Sequence, residues 1–317
     1  MTREYMIVSI IYFPPMTKGE LVTFGVISEI GYVSLQSQDI EGTIAHAREI
    51  LGLTETYRSG NAVYLSSRAR QHHELVYLDA PENGVGHIGL VAANAAGLDL
   101  ARTRVVAAGY PILSNTPLHP GVEDGFAFSG PEGFVFEIYL GLEASGITPT
   151  GHAPDRFGHV NLHPQNLQAM LTFFTDILDF RISDVIGDDF AYFLRCNAEH
   201  HGVALMKGKG WMHHHAWQAQ SIAELGKLGD RLHDAGSRLL MGPVRHGAGH
   251  NIAAYYVEPT GAVVELYTDM EWILDDDRPP IVWPQDDRAW ATKWSIYDFS
   301  EFRSHGLFPA REHIAAN

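Results

Sequence analysis

The chain has 317 residues, too many for one typical compact domain, and 45% are hydrophobic, which supports a sizeable core and argues against disorder. Lys and Arg number 22 against 38 Asp and Glu, a formal charge of −16 that repels phosphate backbones and argues against nucleic acid as a partner. A single cysteine, Cys196, excludes an internal disulfide framework and fits a reducing, cytoplasmic setting; no stretch is apolar for long enough to be read as a membrane span.

The elements come in a repeating order. "YMIVSIIYF" (from Tyr5) is apolar but short, follows Glu4 and precedes "PPMTKGE", a poor cleavage site, so residues 1–28 read as an extended arm. "EIGYVSLQSQDIEGTIAHAREILGL" (from Glu29) reads as a strand, a turn and an amphipathic helix, and "RQHHELVYLD" (from Arg70) as a strand. "VGHIGLVAANAAGLDLARTRVVAAGYP" (from Val85) is again strand then helix, and "SGPEGFVFEIYLGLE" (from Ser129) is a turn leading into an alternating strand. "ASGITPTGHAPD" (from Ala144) has linker composition. The series then returns as "RFGHVNLHPQNLQAMLTFFTDILDF" (from Arg156), "AEHHGVALMK" (from Ala198), "HHHAWQAQSIAELGKLGDRLHDAGSRL" (from His213) and "VEPTGAVVELYTDME" (from Val257). This predicts an α+β fold of four βαβββ-like modules, two in residues 29–145 and two in residues 156–270. Residues 271–317, with "DDDRPPIVWPQDD" and "WSIYDFSEF", break the pattern and read as a tail covering the second domain.

The repeat supplies an internal comparison. Tyr32 faces His159, His87 faces His214 and Glu137 faces Glu265. The second half therefore carries two histidines and one carboxylate on three strands, and the 18 histidines of the chain make metal a natural ligand. Such a facial triad leaves coordination positions open and suits Fe(II) or Mn(II). A phenol, protonated at neutral pH, replaces imidazole poorly, so the first half is expected to hold no metal. Within "MHHHAW" (from Met212), alternation in a strand places His214 on one face and His213 and His215 on the other, so only His214 is expected to reach the metal.

These motifs, "FGHV", "HHGVAL", "MHHHAW" and "RHGAGHNIAAYYVEPTGAVVELYTD", make residues 29–270 resemble the type I extradiol catechol dioxygenases of the vicinal oxygen chelate superfamily, whose fold is shared with glyoxalases and bleomycin-resistance proteins. The resemblance implies metal ligands at His159, His214 and Glu265. It implies an acid–base histidine at His201, a supporting histidine at His246 and a hydrogen-bonding tyrosine at Tyr255, whose first-half counterpart is Ala127. It further implies a catechol and O2 as substrates, Fe(II) or Mn(II) as cofactor, a homo-oligomer and a role in aromatic catabolism. Met241 stands where relatives taking carboxylated catechols have Arg, and Phe193 falls on an aromatic wall; both favour an uncharged catechol. Asn161 shares the face of His159. Two other readings stay open: a glyoxalase-like metal-dependent lyase or isomerase that uses no O2, and a metal-free binding module of the same fold.

Overall fold

The computed structural model describes residues 25–311, so the stretch read as an N-terminal arm lies almost entirely outside the described residues. The first module runs β1 (Ile27–Ser37), α1 (Ile40–His46), β2 (Thr54–Ser59), β3 (Ala62–Ser66) and β4 (Leu75–Asp79). The second runs β5 (Gly84–Ala92), α2 (Ala95–Ala107), β6 (Ile112–Ser114), β7 (Val122–Ser129) and β8 (Val135–Leu142). The order then repeats as β9 (Arg156–His163), α3 (Leu167–Thr172), β10 (Arg181–Ile186), β11 (Ala191–Arg195) and β12 (Val203–Met206). The last module is β13 (Trp211–Gln218), α4 (Ile222–Asp234), β14 (Met241–Arg245), β15 (Ile252–Val257) and β16 (Val263–Thr268), and β17 (Ile281–Trp283) follows in the tail.

Local chemistry sets the helix starts. The side chains of Asp39, Asn94 and Asn166 accept from the backbone amides of Gly42, Gly97 and Ala169, capping α1, α2 and α3. In α4, Leu225, Leu228 and Leu232 recur at helical spacing and are all buried. Each half forms one mixed sheet, in the orders β2-β3-β4-β1-β5-β8-β7-β6 and β14-β15-β16-β13-β9-β12-β11-β10-β17. In both, the first strands of the two modules pair antiparallel at the centre, flanked by parallel partners: β4 and β8 beside β1 and β5, β12 and β16 beside β9 and β13.

One continuous apolar core joins the two sheets, from Ile44 and Leu51 through Phe128 and Phe136 to Phe173, Leu228 and Tyr256. Smaller clusters line the opposite faces, around Tyr32, Tyr64 and Tyr139 in the first half and around Met241, Tyr255 and Tyr267 in the second. The tail packs on the second sheet: β17 extends it beside β10, and Leu307 bridges to Met212.

Polar groups also tie the halves together. Glu74 accepts from the Phe157 amide at 2.7 Å, and Glu258, fully buried, accepts from the Tyr77 hydroxyl at 2.6 Å and from Thr260 at 2.5 Å. Burial pushes the Glu258 carboxyl up to about 7, against the pull of the Thr260 and Tyr77 hydrogen bonds. A carboxyl that binds its proton more tightly folded than unfolded stabilises the fold below its unfolded value, and that stability is lost as pH rises through about 7. The difference is on the order of 3 kcal/mol. Glu258→Gln should therefore flatten the decline in thermal stability between pH 5 and 8 and raise Tm relative to the parent at pH 8. Identical pH profiles for the two proteins would remove Glu258 from this role.

Candidate metal centre

Three neighbouring strands bring the candidate ligands together. On β9 and β13, His159 lies opposite Ala216; on β13 and β16, Ala216 lies beside Glu265; and His214, two residues before Ala216, shares its face. The result is a trio of buried groups whose ligand atoms all lie within 4.8 Å of one another, and among the described residues no other group of His, Cys, Asp or Glu meets that test. His159 Nε2 and His214 Nε2 each stand 3.0 Å from Glu265 Oε2. Donors about 2.1 Å from a metal and at right angles lie about 3.0 Å apart, so each histidine stands from Glu265 at the distance that a shared divalent ion requires.

The electrostatics agree with that fit. Burial alone would raise the Glu265 carboxyl, but the His159 and His214 imidazoles hold it well below the usual range, so it is ionised. Burial lowers His214, against the hydrogen bond and charge of Glu265, and favours the neutral ring a metal needs. Asn251 Nδ2 donates to Glu265 Oε1 at 3.0 Å, leaving Oε2 for the centre. His159 Nδ1 and Asn161 Oδ1 are buried beside the centre without protein partners.

The histidine run departs from simple alternation. Met212 pairs with Leu162 but His214 with the next residue, Asn161, so β13 carries one extra residue at His213. The bulge turns the His213 ring onto its neighbour, with the two Nδ1 atoms 2.8 Å apart and His213 Nε2 2.8 Å from the Phe302 carbonyl. His213 thus stays out of the pocket and the convergent trio, and it touches the His214 ring from the side away from Glu265. A carbonyl only accepts, so His213 donates through Nε2–H. Burial, with the nearby His214 and His163, holds His213 far below its ordinary value, so the ring is neutral and its Nδ1 is bare. His214 then donates through Nδ1–H and presents the Nε2 lone pair to the centre. His215 behaves as alternation predicts: its Nδ1 accepts from Trp217 Nε1 at 2.9 Å within the core.

Other groups face the same space. The His201 ring lies 4.5 Å from that of His159 and 5.0 Å from Phe193, and its Nδ1 is 3.0 Å from His200 Nδ1. Burial, reinforced by His159 and His200, lowers His201 well below its ordinary value. His200 Nε2 stands 3.1 Å from Asp184, out of line for a hydrogen bond. On β15, Tyr255 lies opposite both Glu265 and Met241, and its hydroxyl is 2.7 Å from His246 Nε2. His246 Nδ1 meets the Ala291 carbonyl, so Nδ1 carries the proton and Nε2 accepts from Tyr255. Burial lowers His246 and raises Tyr255 well above a free phenol.

A pocket of ≈ 690 Å³, its open mouth included, contains all nine candidate site residues: His159, Asn161, Phe193, His201, His214, Met241, His246, Tyr255 and Glu265. The sequence reading missed Asn251, His163 and the tail residues Trp290, Phe299, Phe302 and Arg303, which line it as well. The aromatic run "WSIYDFSEF" held a signal for Phe299 and Phe302; Arg303 had none.

Residues 156–266 match the family described as the Glyoxalase/Bleomycin resistance protein/Dioxygenase superfamily. The chain is 26% identical over 292 residues to a metapyrocatechase of Geobacillus stearothermophilus, covering 82% of this chain and 87% of the relative. It is 27% identical over 286 residues to a biphenyl-2,3-diol 1,2-dioxygenase of Paraburkholderia xenovorans, covering 81% and 94%. Its fold superposes with a TM-score of 0.85, at 29% identity, on a Mn(II)-bound glyoxalase from Novosphingobium aromaticivorans, covering 92% of this chain and 98% of that one.

Proposed function

We propose that this chain, whose residues 156–266 are a domain of the Glyoxalase/Bleomycin resistance protein/Dioxygenase superfamily, is an extradiol ring-cleaving dioxygenase. It opens a catechol beside its diol to a 2-hydroxymuconic-semialdehyde-type product that keeps both atoms of O2. The observation that carries this reading is a buried ligand set of two histidines and one glutamate, with no fourth ligand among the described residues, facing a pocket with three non-ligand proton-handling groups. His159, His214 and Glu265 would hold Fe(II) or Mn(II), which would supply Lewis-acid charge beside the substrate and an electron path to O2. We assign this chemistry to residues 156–270, with the 29–145 domain non-catalytic and the 271–317 tail as a cover.

The chain's own groups handle the protons. His246 Nε2 is a vacant base behind the Tyr255 hydroxyl, so a proton leaving the diol has a route through Tyr255 to His246. Once Nε2 is protonated, it donates back to the tyrosine oxygen, and Tyr255 is free to donate to the ionised substrate oxygen. His201, neutral through burial and placed against His159, takes the second proton and returns it when the ring opens. Asn161 Oδ1 faces the same space as an acceptor. Phe193, Met241, Trp290, Phe299 and Phe302 give the pocket apolar walls that limit water.

The apolar walls favour an uncharged, alkyl- or aryl-substituted catechol. Arg303 is the one cation among the described lining residues, with its guanidinium 5.7 Å from the Phe299 ring and 6.0 Å from the Phe190 ring. After anaerobic loading with Fe(II), O2 uptake should follow addition of catechol, and kcat/KM should be higher for 3-methylcatechol and 2,3-dihydroxybiphenyl than for protocatechuate and homoprotocatechuate. Met241→Arg should narrow that gap. A parent preference for the carboxylated members, lost in Arg303→Gln, would reverse the substrate assignment.

The likeness to a Mn(II)-bound glyoxalase favours a second reading, metal-dependent isomerisation of an α-ketoaldehyde–thiol adduct without O2. Turnover of such an adduct by a metal-loaded sample that consumes no O2 with any catechol would replace the first reading with this one. The metal-free binding alternative leaves the convergence of three ligand atoms without a purpose. The buried Cys196 supports a reducing, cytoplasmic location. The exposed Trp272, Leu274, Val282 and Ile296 of the tail support assembly of copies of the chain.

A further inference from the structure

The first half repeats the metal centre in more detail than its three aligned positions suggest. Tyr32 lies opposite Gly89, and Gly89 lies beside Glu137, as His159 lies opposite Ala216 and Ala216 beside Glu265. The Tyr32 ring stands 5.4 Å from His87 and 4.6 Å from His73; the corresponding distances from His159 to His214 and His201 are 5.6 and 4.5 Å. His72 and His73 meet through Nδ1 atoms 2.9 Å apart, as His200 and His201 do at 3.0 Å. Tyr139 packs behind Tyr32 at 5.6 Å, and Tyr267 behind His159 at 5.0 Å. A buried carboxylate and buried imidazoles thus recur in the same register. A single ligand position differs in kind, with tyrosine in place of histidine.

We propose that this first-half cluster is a latent centre for a divalent metal, closed by the Tyr32 hydroxyl. A phenol reaches further from the backbone than an imidazole, and the Tyr32 oxygen ends between the two remaining ligands. It is 2.8 Å from His87 Nε2 and donates its proton to Glu137 Oε2. It therefore bridges histidine and carboxylate as a metal would. Glu137 Oε1 accepts from the Leu118 amide at 2.6 Å, and no Lys or Arg pairs with Glu137 among the described residues. The Glu137 carboxyl is met by the Tyr32 hydroxyl and the Leu118 amide, and burial raises it against those hydrogen bonds. Gly89 makes room for the larger ring: a Cβ at that position would lie 2.1 Å from Tyr32 Cε1.

Donors for a metal stand ready once the hydroxyl is removed. His119 Nε2 lies 3.1 Å from His87 Nε2, so a further imidazole packs against the His87 position. His73, fully buried, leaves its Nε2 without a partner against the Tyr32 ring. Histidine at position 32 would withdraw the blocking oxygen and offer Nε2 toward His87 and Glu137, giving two histidines and a glutamate in the register of the second-half trio. Imidazole and carboxylate together suit borderline ions such as Mn(II) or Fe(II).

The inference rests on reading the second half as a metal centre, so the test uses the difference between each variant and its parent. Protein loaded with excess Mn(II) and desalted is analysed for metal per chain. Tyr32→His should raise the content from one to two equivalents. In a His214→Ala background, where the second-half centre is lost, Tyr32→His should restore one equivalent with a Mn(II) EPR signal and no dioxygenase activity. Glu137→Gln added to Tyr32→His should abolish the gain. If Tyr32→His does not fold, Tyr32→Glu supplies a shorter ligand at the same position and the same gain is expected. A folded variant that binds no more metal than its parent overturns the proposal, as would a parent already holding a metal on Glu137. A parent holding no metal at all would instead count against the function assigned to the second half, while the gain in the variant would still decide this one.

Discussion

Replacing His214 with alanine should remove the metal and, with it, all ring cleavage. His159 and Glu265 alone would leave two donors, and the rest of the pocket wall offers no third His, Cys, Asp or Glu in reach among the described residues. The neighbouring histidines separate ligation from support. His213→Ala deletes the acceptor that fixes the Nδ1–H tautomer of His214, a contact of the kind whose loss typically weakens metal binding about 10- to 100-fold. His215→Ala deletes a core contact to Trp217 and should leave metal affinity near the parent's, at some cost in stability. Metal content by elemental analysis and Mn(II) affinity by titration would rank the three. Near-stoichiometric metal in a folded His214→Ala protein would sink the ligand assignment. An unchanged affinity in His213→Ala would show that packing alone orients the His214 ring.

Much of this centre was legible in the sequence because it depends on strand register, and register follows from side-chain pattern. Once the two halves were aligned, the matched positions of His159, His214 and Glu265 put three ligands on adjacent central strands of one sheet. What the sequence hid has specific physical causes. The contact of His213 with His214 lies at a bulge that inserts one residue, and a bulge in an apolar–histidine run has no compositional mark. The acceptors that set the histidine tautomers are the carbonyls of Phe302 and Ala291, backbone groups that any residue would supply. Both come from the tail, whose path depends on contacts with residues far away in sequence. Arg303 lines the pocket by that same path, a cation that no sequence pattern announced.

His201→Asn should lower kcat by about 10²- to 10⁴-fold while the metal stays bound, the usual range for losing one positioned acid–base group. The geometry separates His201 from the ligands. It is not in the convergent trio, and its Nδ1 is engaged by His200, so Nε2 is the nitrogen available to the pocket. A neutral imidazole there can accept a diol proton and later return it; an asparagine can hydrogen-bond but cannot cycle a proton near neutral pH. His201→Phe removes both abilities and keeps the aromatic packing against His159 and Phe193, so it should be slower still. KM for catechol should change little in either variant, because Tyr255 and the three residues that would hold the metal are left untouched. Metal content, kcat and KM measured on the same preparations distinguish the possibilities. A fall in metal content parallel to the fall in kcat would make His201 a ligand, and a rise in KM with kcat intact would make it part of the substrate grip.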